Sequence, residues 1–214
     1  MSFLSKKISA YTDAHTTAGS PLLKTLERET WVKQLHAGMI SGDYQGQFLR
    51  MLSQMIRPKR ILEIGTFTGY SAICLAAGLQ EDGILDTIEI NEELESLIQH
   101  YIEKAGLKDK IRLHIGSALD LVPEMDDGFD LVFIDADKVN YLTYYDLVFD
   151  KINIGGYILV DNVLWFGKVT ENQKDKEATA IHAFNEKVQN DPRVENILLP
   201  IRDGLTLIKK CDNA

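Results

Sequence analysis

Cysteine is scarce in this chain, basic side chains are outnumbered, and no long apolar run occurs. Two cysteines, Cys74 and Cys211, cannot build a disulfide framework, which points to a reducing compartment. No stretch of about 18 apolar residues is present, so no membrane-spanning helix is expected. The start, MSFLSKKISAYTDAH, has lysines but no apolar segment behind them and does not read as a secretory signal. Lysine and arginine total 23 against 32 acids, a formal charge of −9. Nucleic acid as a main partner needs a dense basic face, which this balance excludes. What is there is ordinary globular material: 214 residues, 45% apolar, enough for a core of two or three layers in one domain. The expectation is an acidic, cytoplasmic protein with no membrane and no nucleic-acid partner.

Residues 1–56 read as helical, punctuated at Gly19-Ser20-Pro21 and around Ser41-Gly42-Asp43. Leu22, Leu26 and Val32 recur at helical spacing, as do Phe48, Leu49, Leu52 and Ile56. From Arg60 the character changes. Short apolar runs at Ile61–Ile64, Ile84–Ile90, Ile111–Ile115, Leu131–Ile134 and Tyr157–Val160 now alternate with helical candidates. Those candidates are Ser71–Leu79, Glu92–Ala105 and Tyr141–Ile152. Such alternation predicts an α/β protein with a mostly parallel sheet covered by helices on both faces. Gly78, Gly106 and Gly155 each follow a helical pattern, where a left-handed cap is useful. Last come a helix over Asp175–Gln189 and strands at Val194–Leu199 and Leu205–Lys209 around Arg202-Asp203-Gly204, an antiparallel edge hairpin.

After the first strand stands Glu63-Ile64-Gly65-Thr66-Phe67-Thr68-Gly69-Tyr70-Ser71. A glycine turn between strand and helix lets a ligand approach the backbone. The dinucleotide fingerprint wants a second glycine where Phe67 stands, and there is no phosphate-loop lysine. A ligand with a carboxylate, an amine and a ribose, but no phosphate, fits better. Glu63 would meet its cationic group, Ser71 its carboxylate, and Glu89, at the second strand's end, its ribose hydroxyls. Ala118, after the third strand, is small enough to leave room for an adenine ring. Tight-turn glycines, a solvated strand end and plain helix packing are the alternative readings of these positions.

The fourth and fifth strands end in Ile134-Asp135-Ala136-Asp137-Lys138 and Val160-Asp161-Asn162. In open α/β sheets ligands bind beyond the strands' carboxyl ends. Asp135, Asp161 and Asn162 offer only oxygen ligands, which suit Mg²⁺, Mn²⁺ or Ca²⁺; the alternative is helix capping or amide binding. Lys138, if desolvated beside a cation, would have a lowered pKa and could act as a general base. Trp165 could wall a flat substrate or belong to the core. The five histidines show no ligand spacing.

Four segments in this order, QGQFL (Gln45–Leu49), ILEIGTFTGYS, FIDADKVNY and VDNVLWFGKV, resemble the cation-dependent class I S-adenosylmethionine O-methyltransferases. That family includes caffeoyl-CoA and catechol O-methyltransferases, and the resemblance runs over residues 36–210. It implies a Rossmann-like fold with a seven-stranded, mostly parallel sheet, S-adenosylmethionine as donor, a divalent cation with Mg²⁺ first, and a homodimer. It also implies a helical lid and dimerisation segment over 1–56 and a donor-binding core over 57–214. Matched motif by motif, Glu63, Gly65, Thr66, Gly69, Ser71, Glu89, Ala118, Asp135 and Tyr144 correspond to donor contacts. MISGDYQGQFL corresponds to the lid, placing Met39 and Ser41 near the donor. Asp135, Asp161 and Asn162 correspond to metal ligands, Lys138 to the catalytic lysine with Asp135 beside it, and Asp137 and Trp165 to the acceptor side.

The implied reaction is methylation of one hydroxyl of a small vicinal dihydroxy aromatic. Glu89 stands where the plant enzymes carry aspartate, and the Leu119–Asp130 segment and the N-terminal arm are shorter than theirs. With the acidic charge, these departures point away from a coenzyme A thioester as acceptor. A nicotinamide oxidoreductase is the enzyme alternative, disfavoured by Phe67, and a catalytically silent donor-binding module is the non-enzymatic one.

Overall fold

The structure is a computed structural model that describes residues 5–212. The outermost residues of both expected segments, 1–4 and 213–214, lie outside the described residues. The chain divides into two compact units at the Ser117/Ala118 junction.

The unit ending at Ser117 begins with three helices, α1 (Lys6–Ala14), α2 (Pro21–Lys33) and α3 (Gly42–Ile56). Pro21 opens α2, and the Ser20 hydroxyl accepts the Leu23 N–H at 3.3 Å, the serine–proline start that favours a helix. Leu23, Leu26 and Leu49 are the buried apolar anchors, whereas Val32 is 76% exposed and faces outward. Strands β1 (Arg60–Ile64), β2 (Ile84–Glu89) and β3 (Ile111–Ile115) follow, with α4 (Tyr70–Ala76) and α5 (Glu95–Lys104) as crossovers. The strands are parallel and ordered β3-β2-β1. The β1 and β2 interiors are nearly all buried, as expected of strands covered on both faces.

Beyond Ala118 come α6 (Ala118–Glu124), β4 (Phe129–Ile134), α7 (Tyr141–Phe149), β5 (Ile152–Asp161), α8 (Lys176–Gln189), β6 (Val194–Leu199) and β7 (Leu205–Lys210). β4 and β5 are parallel, while β7 runs antiparallel to β5 and β6, the expected edge hairpin. Asp175 caps α8 by accepting the Ala178 N–H at 2.8 Å. Tyr141, Tyr145 and Phe184 pack edge-on across α7 and α8 with centroids 5.8–6.0 Å apart. In all, the strands make a seven-stranded, mostly parallel sheet. Among the described residues no helix is long and apolar enough to cross a membrane.

Two expected glycine caps are corrected. Gly106 is left-handed (φ +70°), as a cap requires. Gly155 is left-handed too, but it lies inside β5 rather than after a helix. Gly78 is not left-handed; a Cβ there would come within 2.1 Å of the Ser53 backbone, so close approach of chain to chain selects that glycine. No helix was expected at Ala118–Glu124, which contains Pro123.

Candidate active site

The loop between β1 and α4 is held mostly by the end of β2. Gly65 and Thr66 donate their N–H groups to the Ile88 carbonyl, and Gly69 donates to that of Thr66. Phe67, at φ +50°, donates to Glu89 Oε2 at 2.7 Å. Four loop amides are thus committed internally, which agrees with the absence of a phosphate cradle. Glu89 also accepts the Asn91 N–H at 2.9 Å through Oε1. An ionised carboxylate has about four acceptor positions, so Glu89 fixes the loop and retains capacity for two hydroxyls.

Glu63 is fully buried, and its Oε2 accepts the Thr87 hydroxyl at 2.5 Å. Thr87 gives its one proton to Glu63, so Thr66, 2.5 Å from it, donates in turn. A buried carboxyl held by one hydroxyl, itself backed by a second, suits a cationic ligand group better than an anionic one. Ser71 is buried in the first turn of α4, after the left-handed Gly69. Ser41 is buried, whereas Met39 is 56% exposed. The N-terminal helices are fastened to this loop: the Asp43 carboxylate accepts the Tyr70 O–H at 3.1 Å and the Gly19 N–H at 3.0 Å. The Thr30 and Thr68 hydroxyls also meet at 3.1 Å in a buried contact. Next to Tyr70, burial pushes the Cys74 thiol up to about 12, leaving it inert as a nucleophile.

A second cluster forms in the other unit, at the ends of β4 and β5. Lys138 Nζ donates to Asp135 Oδ1 at 2.9 Å and lies 5.1 Å from the Tyr141 ring centroid. The Tyr141 O–H donates to the Asp161 carbonyl at 2.7 Å, and the Asn162 N–H to Asp161 Oδ1 at 2.8 Å. Asn162 is left-handed at φ +58°, which asparagine tolerates better than most residues. Tyr141 feels the charges of Lys138, Asp135 and Asp161 together, so this phenol is where the expected catalytic and ligand residues converge. Burial drives its own pKa far up, and it acts as a neutral donor.

Without a cation beside it, Lys138 is held as the ammonium: burial favours its neutral amine, but the Asp135 carboxylate and Tyr141 outweigh that, and its pKa is raised. Asp135 and Asp161 are likewise compensated, one by an ammonium and the other by an amide. Even so, the donor set fits a hard divalent cation: two carboxylates and an amide, all oxygen, with further lone pairs. Among the described residues no three His, Cys, Asp or Glu side chains are grouped for a metal, and this set contains only two such residues.

Asp137 accepts the Tyr144 O–H and, at 2.6 Å, the Asn140 amide, and burial raises the Tyr144 phenol. Tyr144 is therefore tied to Asp137, a residue expected on the acceptor side. Trp165, left-handed at φ +44°, is half-buried with its ring 5.3 Å from Phe166. Ala118 is buried at the start of α6. The sequence reading gave no role to Thr87, Tyr141 or Asp203. For Thr87 a signal existed: it shares strand parity with Glu89 and pairs with Glu63.

A family model described as O-methyltransferase matches residues 11–211. The chain belongs to the O-methyltransferase family. This O-methyltransferase is 36% identical over 195 residues to caffeoyl-CoA O-methyltransferase 1 of Eucalyptus globulus, covering 86% of this chain and 79% of that one. Among solved structures it is similar to the SAH-bound methyltransferase PaMTH1 of Podospora anserina. The TM-score is 0.89 at 27% identity, covering 99% of this chain and 100% of that one. It is also similar to TomG of Streptomyces achromogenes, an O-methyltransferase of tomaymycin synthesis solved with SAM. There the TM-score is 0.87 at 29% identity, with 96% of each chain covered. The resemblance read from the four motifs and the expected sheet are thereby borne out.

Proposed function

We propose that this O-methyltransferase uses S-adenosylmethionine and a divalent cation to methylate one hydroxyl of a small vicinal dihydroxy aromatic. The observation that carries the reading is the convergence of Asp135, Lys138 and Asp161 on Tyr141 at two strand ends. The SAM and SAH found in similar structures support the donor.

On the donor side, Glu63 and Glu89 would meet the ammonium and the ribose, with Gly65, Thr66, Gly69 and Ser71 shaping the turn. Met39, Ser41, Ala118 and Tyr144 would complete the donor contacts. Asp135, Asp161 and Asn162 would hold the cation, Mg²⁺ by its preference for hard oxygen. Bound there, a divalent ion lowers the pKa of a chelated hydroxyl and fixes its position. Asp137 and Trp165 would flank the ring and orient it, and orientation is a large share of such a barrier. Lys138 would receive the hydroxyl proton. Its resting ammonium is held by Asp135; with that carboxylate engaged by the cation, burial would favour loss of the ammonium proton to solvent, and the resulting neutral amine would take the hydroxyl proton. Homodimerisation is part of the proposal, on the exposed apolar side chains of α2 and α3.

The test is transfer of labelled methyl from S-adenosylmethionine to a panel of catechols and their coenzyme A esters, with Mg²⁺ or with EDTA. Turnover of free catechols with Mg²⁺, abolished by EDTA and by Asp161→Ala while donor affinity persists, is the expected result. Undiminished turnover in EDTA would overturn the cation, and turnover of the esters alone would overturn the acceptor class.

A further inference from the structure

The segment that leaves β5 has an unfavourable backbone. Asn162 (φ +58°), Trp165 (φ +44°), Phe166 (φ +57°) and Gly167 (φ +85°) are all left-handed, and only one of them is glycine. Non-glycine residues rarely adopt that region unless their surroundings impose it. The same segment carries Asn162 and Trp165, which the proposed function places on the cation and the acceptor. Two bonds close within the segment, from the Trp165 N–H to the Asn162 carbonyl at 3.2 Å and from the Gly167 N–H to the Leu164 carbonyl at 2.9 Å; the remaining restraints come from outside it.

We propose that Asp203, in the turn of the edge hairpin, is the positioning residue that imposes the shape. Its Oδ1 accepts the Phe166 N–H at 2.6 Å, and its backbone carbonyl accepts the Leu164 N–H at 2.9 Å. The neighbouring Gly204 carbonyl accepts the Val163 N–H at 3.2 Å. Contact is tight: a Cβ on Gly204 would come within 2.5 Å of Leu164. From α8, Asn185 donates to the Val163 carbonyl at 2.9 Å, completing the clamp.

Two features separate this role from ordinary turn chemistry. An aspartate in a turn commonly bonds backbone a residue or two further on. Asp203 instead directs its carboxylate 37 residues back along the chain. It is also only 5% exposed, and its Oδ2 is buried without a hydrogen-bond partner among the described residues. Burying a half-satisfied carboxylate is unfavourable. A turn alone would be served as well by an exposed asparagine or glycine. The carboxylate belongs where it is because the strained segment requires its other oxygen.

This inference rests on the acceptor being bound by the 162–167 segment, and the experiment separates the two. In a Trp31→Phe background, which leaves Trp165 the only tryptophan, Asp203→Ala, Asp203→Asn and the charge-preserving Asp203→Glu are compared with the parent. Three readouts are taken: acceptor KM, donor Kd by calorimetry, and the emission and acrylamide quenching of Trp165. Asp203→Ala and Asp203→Glu should raise acceptor KM by about tenfold or more, since small misplacements at a reacting centre are costly. Donor Kd should hold, and Trp165 should shift red and become more quenchable. Asp203→Asn, which keeps an acceptor oxygen for Phe166, should restore both. Unchanged KM and emission in Asp203→Ala would overturn the proposal, as would parallel loss of donor and acceptor binding in all three variants. If the parent methylates no acceptor, the proposed function fails, and the Trp165 readout still decides for or against the clamp. Should Asp203→Ala not fold, Asp203→Glu against Asp203→Asn carries the same comparison.

Discussion

Tyr141 has no ionisable role, yet three charged residues are organised around it. It is fully buried, and its hydroxyl is one of the contacts fixing the main chain at Asp161. Removing the oxygen alone, in Tyr141→Phe, leaves the ring over which Lys138 sits but releases the Asp161 carbonyl. A buried hydrogen bond of this kind contributes about 1–2 kcal/mol, so the urea midpoint should fall by that equivalent. The larger effect should be on turnover, because Asp161 and Lys138 lose their common reference: kcat drops at least about tenfold while donor Kd is unchanged. Single-turnover rates at saturating donor check this, and wild-type rates would mean that Tyr141 is only core. At this scale the sequence was readable for identity but not for commitment. Glu63, Glu89, Asp135 and Asp161 stand out as acids at strand ends. That Glu89 already binds two amides, or that Lys138 is pinned as an ammonium, depends on side-chain geometry that spacing does not encode.

At the scale of elements, the contact of α3 with α4 shows where residue patterns mislead. Gly78 follows a helical run, and capping is the commonest reason for glycine there. The structure gives another: the Ser53 carbonyl carbon, carbonyl oxygen and hydroxyl lie 2.1–2.3 Å from where its Cβ would be, and that hydroxyl bonds the Leu75 carbonyl at 2.6 Å. A backbone cannot yield as a flexible side chain can. Gly78→Ala is therefore expected to destabilise by about 1–3 kcal/mol, the range for overpacking, with a lower urea midpoint and an unchanged m-value. A midpoint equal to wild type would remove the close approach to Ser53 as the reason for a glycine at this position. β1 was legible because burial on both faces writes it as a continuous apolar run, while the edge strand β3, with Arg112 exposed and His114 only partly buried, was read from its alternating apolar residues. β5 was read short, from Tyr157, because after the buried Ile152 come the exposed Asn153, Ile154 and Gly155, beside a register shift. α6 was hidden by its brevity and by Pro123.

For the whole molecule, two properties pull in opposite directions. Its charge is −9, which opposes association of like copies. The two helices α2 and α3 nevertheless expose Trp31 (60%), Val32 (76%), Met51 (54%) and Met55 (78%), with Leu35 (86%) just past the end of α2. Met51 and Met55 are one turn apart and share a face. These exposed apolar side chains are where the proposed dimerisation is placed. With a second copy as the partner, the apolar term must exceed the repulsion, and only the repulsion responds to salt. The Debye length shortens from about 30 Å at 0.01 M to about 8 Å at physiological strength, so association should tighten as salt rises. Sedimentation equilibrium across that range should give twice the chain mass, with the dimer weakening at the low end. Leu35→Glu with Met55→Glu adds charge to the surface and should give the single-chain mass with unaltered circular dichroism. A wild-type chain that stays monomeric at tens of micromolar, or a dimer that salt dissociates, would rule out this face as the contact.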